Sequence, residues 1–491
     1  MTRIIDVSSQ PNIDDYAAVA HLTEAVDNLR AAAVGTVERL RGRRVWMVNS
    51  TSQGGGVAEM LPSMVSLLRD LGIETEWAVI DSDDPEFFAV TKSVHNRIHG
   101  ENNGRLLDRQ ARARYEATNA ANADFLLKRV QDGDIVVVHD PQPMALAGQL
   151  KERRKLATVW RCHIGLDEMN AATASAWEFL EPYSAAYDRA VFSAPEYVPE
   201  MFRDRARVIW PGINPLSPKN RFLHIRLIVD VLANSGLAVP PAPVLTDPYP
   251  AHAQRLQRTG AFASATVWGD IGLLGRPIVT QVSRWDRLKG WEPLLRAFAE
   301  LKRSAFEGER SKDPFSWKRR QLVRLVLTGP DPASIEDDPE GKEVLEELKA
   351  AYLALEPRLQ DDIAIVALPM VSLEQNALMV SALQRCSTIV VQNSLREGFG
   401  LTVTEAMWKR VPILSNAQAC GPRHQIRDGV DGRLARDPTD EAELVQLLDE
   451  MLSDHEARDR WGRSAQRRVH QKFLVFRQLI SWLELWDEMV R

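Results

Sequence analysis

Cysteine is scarce in this sequence, which has only Cys162, Cys386 and Cys420 among its 491 residues. None of the three belongs to a CxxC pair, and three are too few for a disulfide framework in a chain of this length. This excludes a small disulfide-stabilised secreted domain. It predicts a reducing environment, and therefore a cytoplasmic protein.

Long apolar runs are also missing. No stretch approaches the ~18 uninterrupted apolar residues that a membrane-spanning helix needs, and residues 1–20 lack the apolar centre of a signal peptide. We therefore expect no insertion into a membrane. Hydrophobic residues nevertheless make up 45% of the chain, which is typical of globular proteins and sufficient for two cores.

An excess of positive charge is absent as well. The chain has 61 basic and 67 acidic residues and a formal net charge of −6. This balance gives no electrostatic reason to expect nucleic acid or an anionic membrane as a partner. Any anionic ligand must be held by a local cluster of donors.

Two common ligand signatures do not occur. There is neither a GxGxxG dinucleotide fingerprint nor a Walker GxxxxGK motif. Asp81-Ser82-Asp83 has the form of a metal-binding DxD, but it lies in an acidic loop after a strand, and no His, Cys and carboxylate cluster has metal-ligand spacing. We expect neither a bound metal nor a cofactor.

What the sequence does contain is an alternation of short apolar runs and helical periodicities, in two series. The first series of candidate strands comprises residues 44–49, 77–80, 134–139 and 157–163, and the second comprises residues 277–283, 322–329, 363–367, 387–392 and 411–414. Alternating strands and helices predict α/β domains with parallel sheets covered on both faces. Ligands of such sheets bind beyond the carboxyl ends of the strands.

This rhythm suggests a division of the chain into domains. We expect an N-terminal extension over residues 1–42 and a first α/β domain over 43–275, interrupted by a Pro-rich insertion at about 215–270. A second α/β domain is expected over 276–473. The last segment, 474–491, is predicted to form a helix that packs back toward the first domain.

The segment from Arg396 to Met407 follows a candidate buried strand and opens a helix. Its glycines allow a ligand to approach the backbone, and the helix N-terminus offers free N–H groups to a diphosphate. Glu397 precedes the helix, where it can face a neutral polyol, and Glu405 can accept hydrogen bonds from ribose hydroxyls. The alternative is a strand-to-helix turn with a buried acid pair. The residues expected to line the donor here are Gly398, Phe399, Gly400, Leu401, Thr402 and Glu405.

A basic turn follows the first strand of the second series. Arg284 and Lys289 are five positions apart in it, so both can reach one phosphate, Arg as a fork and Lys as a point charge. In an acidic chain this is where the charge of a leaving group would be neutralised. The competing interpretation is a solvated surface turn.

Two further sets of residues follow strands of the first series. Gly54, Gly55 and Gly56 form a Gly-rich turn after Asn49, although such turns are common. The second set comprises Asp140, Gln142, Arg161 and His163. Asp140 and His163 could hydrogen-bond sugar hydroxyls, while a histidine at a strand end is also often purely structural.

Together these segments resemble the family-4 retaining glycosyltransferases. Glu397 and Glu405, with seven residues between them, match the E-x7-E motif of that family, and Arg284 with Lys289 matches its diphosphate-binding pair. A narrower resemblance is to the trehalose glycosyltransferring synthases and trehalose phosphorylases. It is carried by residues 48–59, 139–143, 160–163, 215–220 and 396–408.

The resemblance implies a GT-B fold, in which two Rossmann-like parallel-sheet domains face a central cleft, the first binding the acceptor and the second the donor. It implies a retaining hexosyltransferase that moves glucose from a nucleotide-diphosphate glucose to glucose and forms trehalose, with the nucleotide sugar as substrate and no metal. The implied catalytic residues are Arg284, Lys289, Glu397 and His163. The implied donor-binding residues are the three glycines at 54–56 with the residues named in 398–405, and the implied acceptor-binding residues are Asn49, Asp140, Gln142 and Arg161.

Two departures concern the acceptor. Gly165 stands where these enzymes have an acidic residue, and residues 418–425 differ from the shorter Gly-rich turn expected there. A polyol or cyclitol acceptor, a phosphorylase that uses glucose 1-phosphate and a non-catalytic sugar-nucleotide-binding protein therefore stay open. The sequence leaves the nucleotide base and the oligomeric state undecided, with a homodimer among the options.

Overall fold

The structure is a computed structural model. It describes residues 2–52, 55–102, 104–239, 246–264, 271–307, 314–334 and 339–491. The chain divides into two compact units. The first comprises Met1–Asn214 together with Gln471–Arg491, and the second comprises Pro215–His470.

The first unit contains a mostly parallel sheet with helices between its strands. The strands are β1 (Arg3–Ile4), β2 (Val45–Asn49), β3 (Thr75–Val79), β4 (Ile135–His139), β5 (Ala157–Cys162), β6 (Arg189–Phe192) and β7 (Ala206–Val208). The helices are α1 (Ile13–Ala17), α2 (Thr23–Arg39), α3 (Gly56–Asp70), α4 (Pro85–Ile98), α5 (Arg109–Leu127), α6 (Leu146–Lys151) and α7 (Ala171–Ser184). Every residue of β2 and β4 is buried, as expected for strands covered on both faces.

The strand order of this sheet is β1-β3-β2-β4-β5-β6-β7. Only β1 is antiparallel to its neighbour among these strands. The order reverses between β2 and β4, and a reversal of this kind opens a crevice beyond the carboxyl ends of the two strands. The Gly-rich turn follows β2 and Asp140 follows β4, so both lie at this point of the sheet.

The second unit is a second α/β sheet. Its strands are β8 (Gln254–Leu256), β9 (Phe262–Ala263), β10 (Ile278–Val282), β11 (Arg324–Pro330), β12 (Ile363–Leu368), β13 (Ile389–Val391), β14 (Ile413–Asn416) and β15 (Gly432–Ala435). Its helices are α8 (Ile225–Asn234), α9 (Trp291–Glu307), α10 (Pro314–Leu322), α11 (Pro339–Leu353), α12 (Pro357–Gln360), α13 (Leu373–Cys386), α14 (Leu401–Trp408), α15 (Cys420–Gln425), α16 (Glu441–Ser453) and α17 (His455–Lys472).

Here the order is β15-β14-β13-β10-β11-β12-β8-β9. The strands from β10 to β15 are parallel, and β8 and β9 add an antiparallel edge. Ile278 and Val326 pack on the α8 and α13 side of the sheet, whereas Val279 and Leu327 pack on the α9, α11 and α16 side. This alternation buries both faces of the sheet. The strand order reverses between β10 and β13.

Residues 215–275 differ from expectation. Their expected place is the first domain, with an insertion at about 215–270, but their described part lies in the second unit. The reason is local pairing: β8 pairs with β12, and the apolar face of α8 packs into the same core as α13. The prolines at 240–243 lie outside the described residues.

The chain ends in the helix α18 (Val475–Val490), which packs against α2 within the first unit. Trp482 and Trp486 are fully buried in this contact, with ring centroids 5.5 Å apart. Tyr16 packs edge-on against Phe476 at 5.4 Å. The N-terminal extension and the last helix therefore share one apolar core. No helix among the described residues is long and apolar enough to span a membrane.

Candidate functional site

Two of the predicted ligand-binding segments meet at the reversal point of the second sheet. Strands β10 and β13 are paired neighbours, with Val279 opposite Ile389 and Thr280 opposite Val390. The turn that holds Lys289 follows the carboxyl end of β10, and the turn that holds Glu397 follows the carboxyl end of β13. Because the strands are parallel, both turns leave the sheet at the same edge.

An ion pair joins these turns. Lys289 Nζ lies 2.7 Å from Glu397 Oε2, and the two side chains are only 12% and 16% exposed. Ser394 Oγ donates a hydrogen bond of 2.9 Å to the same carboxylate oxygen. Burial acts to raise the pKa of Glu397, but Lys289, Ser394 and the charge of Arg284 outweigh it and lower this pKa below its usual value. Glu397 is therefore a carboxylate at neutral pH.

The side chain of Gln281 holds the two turns in register. Its amide nitrogen donates to the carbonyl of Lys289 at 2.7 Å, and its oxygen accepts from the backbone N–H of Asn393 at 3.0 Å. Asn393 in turn donates to the carbonyl of Gly290 at 3.2 Å. Gly290 has a φ of 58°, and a Cβ there would lie 2.1 Å from the carbonyl oxygen of Asn393. The close approach of the turns thus requires glycine at position 290.

Helix α14 begins directly behind Glu397. Gly400 stands before its first residue, Leu401, in the left-handed conformation with φ 79°. A Cβ at Gly400 would lie 2.9 Å from Glu397 Cγ. Gly398, Leu401 and Thr402 are partly exposed, whereas Phe399 is buried. The first turn of α14 therefore presents backbone N–H groups beside the Lys289–Glu397 pair, which is a favourable place for an anion.

The segment that departed from the expected Gly-rich turn supports this loop. Gln425, the last residue of α15, donates to the carbonyls of Phe399 and Gly400 and accepts from Thr404 Oγ. A Cβ at Gly421 would lie 2.2 Å from the carbonyl oxygen of Phe399. Nothing in the residue pattern of 418–425 predicts this role, which only the packing of α15 on the loop reveals.

Glu405, the second glutamate of the E-x7-E motif, is buried inside α14 with 4% exposure. Lys219 Nζ lies 3.6 Å from its carboxylate. Lys409 Nζ donates to the Glu405 carbonyl at 3.2 Å and to Asn220 Oδ1 at 3.3 Å. Burial lowers the pKa of Lys409 to about 7, although Glu405 acts to raise it. The sequence pattern does not predict a role for Lys219 or Lys409, although Lys219 lies in residues 215–220, which carry part of the family resemblance.

Arg284 is much more exposed than Lys289 and Glu397. Its side chain is 71% exposed, and its guanidinium is 3.6 Å from Asp286. Asp286 Oδ1 accepts from the backbone N–H of Leu288 at 2.8 Å and so caps the 3-10 turn Arg287–Lys289. The structure therefore orders the turn and leaves the Arg284 side chain extended into solvent.

The described part of the Gly-rich turn in the first unit comprises Gly55 and Gly56. Gly55 has a φ of 82°, and a Cβ there would meet no atom of the described residues within 4 Å. Gly56 is exposed and begins α3. Gly54 lies outside the described residues. The two described glycines leave space for a ligand at the N-terminus of α3.

Two histidines form a stacked pair at the reversal point of the first sheet. His139 Nδ1 and His163 Nε2 are 3.0 Å apart, and the rings are 5.3 Å apart at an angle of 11°. Burial, helped by the charge of Arg161, lowers the pKa of His139 to about 3 and that of His163 well below its usual value. Both imidazoles are therefore neutral, and one nitrogen of His163 is engaged by its partner.

Asp140 is held beside them in a conformation that is uncommon outside glycine, with φ 63°. Its Oδ1 accepts from the backbone N–H of His163 at 2.8 Å, and its carbonyl accepts from Trp160 Nε1 at 3.0 Å. Burial raises the pKa of Asp140 to about 6. Asp140 thus fixes the backbone from which the His163 side chain projects.

Arg161 is completely buried below these residues. One Nη donates to Ser193 Oγ at 3.2 Å, and within the described part of the chain its Nε and other Nη have no hydrogen-bond partner. Burial lowers the pKa of Arg161 to about 10. Because Arg161 is buried, it is suited to act on a ligand through His163 and Asp140 rather than by direct contact.

The two predicted amide ligands differ in availability. Asn49 is buried, accepts from Trp77 Nε1 at 2.7 Å and donates to the carbonyl of Thr51 at 2.6 Å, so both ends of its amide are occupied. Gln142 is partly exposed, but its side-chain oxygen is buried and has no partner among the described residues. The amide of Gln142 is therefore the less occupied of the two, although its oxygen does not reach the surface.

Comparisons with known proteins identify the family and the fold of this chain. A family model for "Trehalose synthase, N-terminal domain" matches residues 47–199, and one for "Glycosyl transferases group 1" matches residues 272–468. A trehalose synthase of Pyrococcus horikoshii is 34% identical over 483 residues, which are 98% of this chain and 97% of that protein. The chain belongs to the trehalose synthase family.

Members of the trehalose synthase family are glycosyltransferases, and this confirms the predicted enzyme class. A trehalose phosphorylase of Grifola frondosa is more distant, at 23% identity, and this chain covers 62% of its length. The crystal structure of an α,α-trehalose-phosphate synthase (UDP-forming) from Burkholderia vietnamiensis matches with a TM-score of 0.63 at 18% identity, over 91% of this chain and 98% of that one. This similarity confirms the predicted GT-B fold.

Proposed function

We propose that the chain transfers glucose from a nucleotide-diphosphate glucose to free glucose, with retention at the anomeric carbon, and so forms trehalose. The observation that carries this proposal is the convergence of Lys289, Glu397 and the N-terminus of α14 at one edge of the second sheet. Such a convergence suits a sugar joined to a diphosphate, and it occurs in a chain of the trehalose synthase family.

The donor diphosphate would bind at Lys289 and the first N–H groups of α14, where Leu401 and Thr402 lie. The exposed guanidinium of Arg284 has the freedom to close on the same phosphate as a fork. As the bond to the glucosyl carbon breaks, negative charge grows on the leaving phosphate, and preorganised donors stabilise it. Each such donor is worth about 3 kcal/mol, or ~10²–10³ in rate.

Glu397 would position the glucosyl ring. As a carboxylate it can accept hydrogen bonds from sugar hydroxyls, while its ion pair with Lys289 holds it in place. We propose that the acceptor hydroxyl attacks from the face that the phosphate leaves, through an oxocarbenium-like transition state. The bond from carbon to phosphate oxygen breaks, the bond from carbon to acceptor oxygen forms, and the acceptor proton passes to the leaving phosphate.

Retaining hydrolases instead place two carboxyl groups across the scissile bond. The role proposed for Glu397 is different, because its carboxylate is already committed to Lys289 and Ser394.

The first unit would contribute to sugar binding through His163 and Gln142. The ring nitrogen of His163 that does not face His139 is available to a sugar hydroxyl. Arg161 and Asp140 would act through His163, by keeping it neutral and by fixing its backbone. The nucleotide sugar is a substrate, and we propose that no cofactor or metal takes part.

The choice of synthase over phosphorylase rests on relatedness. The chain spans 97% of a trehalose synthase at 34% identity but only 62% of a trehalose phosphorylase at 23% identity. The buried Glu405 beside Lys219 adds a polar group behind the diphosphate region, which a nucleotide ribose can use and a simple phosphate does not need.

The test is to incubate the purified protein with glucose and, in turn, UDP-, ADP- and GDP-glucose and glucose 1-phosphate, with EDTA present. Trehalose and released nucleotide or phosphate would be measured. The proposal predicts trehalose from at least one nucleotide donor. Trehalose from glucose 1-phosphate alone would favour the phosphorylase, nucleotide release without trehalose would point to another acceptor, and no turnover with any donor would favour a binding protein.

A further inference from the structure

A polar cavity lies in the second unit, away from the Lys289–Glu397 pair. It has a volume of about 650 Å³ and is lined by side chains from β8, from α12 and from the residues that precede or begin β10, β11 and β12. A cavity of this size is in the range that holds small-molecule ligands.

This cavity is at the opposite edge of the sheet from Glu397. Arg276 precedes β10, Arg324 begins β11 and Asp362 precedes β12, so all three mark the amino ends of parallel strands. Arg284 follows the carboxyl end of β10. A strand of five residues separates the two edges by about 16 Å at ~3.3 Å per residue. The cavity is therefore distinct from the donor site.

Positive charge dominates the lining. Five arginines line the cavity against two aspartates, although the chain as a whole has a net charge of −6. The carboxylate of Asp362 forms ion pairs with Lys302 at 2.8 Å, with Arg276 at 3.5 Å and with Arg324 at 3.7 Å. One carboxylate thus faces three cations, and basic groups outnumber acidic ones among the described residues that line the cavity.

Two of the arginines stand at the accessible side of the cavity. Arg258 is about half exposed, pairs with Asp361 and donates to the carbonyl of Pro357 at 2.9 Å. Arg358 is exposed, and its guanidinium lies over the ring of Phe306, 3.3 Å from the ring centroid. These contacts hold the planar groups in place while leaving them open to solvent.

We propose that this cavity binds the phosphate group of a small molecule, at a site separate from the donor site. Guanidinium forks match the geometry of phosphate oxygens, and a bound dianion offsets the repulsion between neighbouring arginines. Gln257 and Thr259 also line the cavity. Their polar groups can bind the hydroxyls of an attached sugar, so the two sources to distinguish are a sugar phosphate and free inorganic phosphate.

The test is calorimetric titration of the full chain with glucose 6-phosphate at fixed ionic strength. R258Q/R358Q should weaken this binding by about tenfold or more, because two charge-assisted hydrogen bonds are lost. R296Q/R463Q is the matched control, since both of these arginines are more than half exposed in the same unit; it should bind as the wild type does. Equal binding by wild type and R258Q/R358Q would overturn the proposal.

Further arms identify the ligand. Inorganic phosphate that binds as tightly as glucose 6-phosphate would assign the site to free phosphate, and weaker binding would assign it to a sugar phosphate. Sulfate that binds as tightly as either would overturn the proposal, because simple charge attraction would then suffice. R284A/K289A should keep the arginine-dependent binding, and R258Q/R358Q should keep the wild-type transfer rate without added phosphate. Loss of this binding in R284A/K289A, or of the transfer rate in R258Q/R358Q, would contradict a site separate from the donor site.

Discussion

Lys289 Nζ and Glu397 Oε2 are 2.7 Å apart, although the two residues are separated by 108 positions in the sequence. Each comes from a turn beyond the carboxyl end of a central strand, and each is largely removed from water. The ion pair therefore affects both the shape and the charge of the proposed donor site.

Replacement of Lys289 by alanine should lower kcat/KM for transfer by about 10²–10³, because a preorganised cation at the leaving phosphate is lost. Lys289→Arg should retain more activity, since it keeps the charge. Lys349→Ala is the control: Lys349 also pairs with a glutamate of the second unit, at 3.1 Å, but on the surface of α11. Wild-type kinetics for K289A would remove Lys289 from the site.

Acid should weaken the fold in part through Glu397. The pKa of this group lies below its ordinary value of 4.5 in the folded protein, so its contribution to stability is complete above about pH 4.5 and is lost as the pH falls through the folded pKa. Thermal unfolding of wild type and Glu397→Gln should therefore show a Tm difference that shrinks on acidification from pH 6 to pH 3. A difference that is constant with pH would contradict the stated electrostatics.

Asp140 should have the opposite pH dependence. Burial raises its pKa to about 6, so the folded protein holds this proton more tightly than the unfolded chain, and raising the pH from about 4 to 6 removes stability. Asn tolerates the same positive φ and can accept the same hydrogen bond from the His163 N–H. Asp140→Asn should gain Tm relative to wild type across this window. A relative loss of Tm would show that Asp140 is stabilised as an anion.

Gly400 should be irreplaceable for a steric as well as a conformational reason. A Cβ there lies 2.9 Å from Glu397 Cγ, at φ 79°. Gly55 has a similar φ of 82°, and a Cβ there would meet no atom of the described residues, so Gly55→Ala is a control for the conformational cost, roughly 1–2 kcal/mol. Gly400→Ala should lose more stability than Gly55→Ala, measured by urea unfolding. Equal losses would exclude the proposed contact.

The parts of the site that the sequence predicted are those carried by local pattern. Buried apolar strands followed by glycines and charges mark the carboxyl edges of parallel sheets, so the approach of Lys289 to the Glu397 loop follows from topology. The donor chemistry rests on the glutamate spacing and the family resemblance, and it stays a prediction.

Other parts depend on packing between distant segments, which spacing does not encode. Gln425 supports the Gly400 loop only because α15 folds beneath it. Lys219 reaches Glu405 because residues 215–275 join the second unit rather than the first. Asn49 has the right residue type for a sugar ligand, but the indole of Trp77 occupies its carbonyl oxygen.

The most direct measurement is a transfer reaction followed by NMR, with the accepted nucleotide donor labelled with ¹³C at the α-anomeric carbon of glucose, unlabelled glucose as acceptor and EDTA present. The account predicts that the label appears only in the α-anomeric carbon of trehalose. It also predicts one nucleoside diphosphate released per disaccharide, with both products reduced together in Lys289→Ala. A β-linked product, or nucleotide release without a matching amount of trehalose, would contradict it.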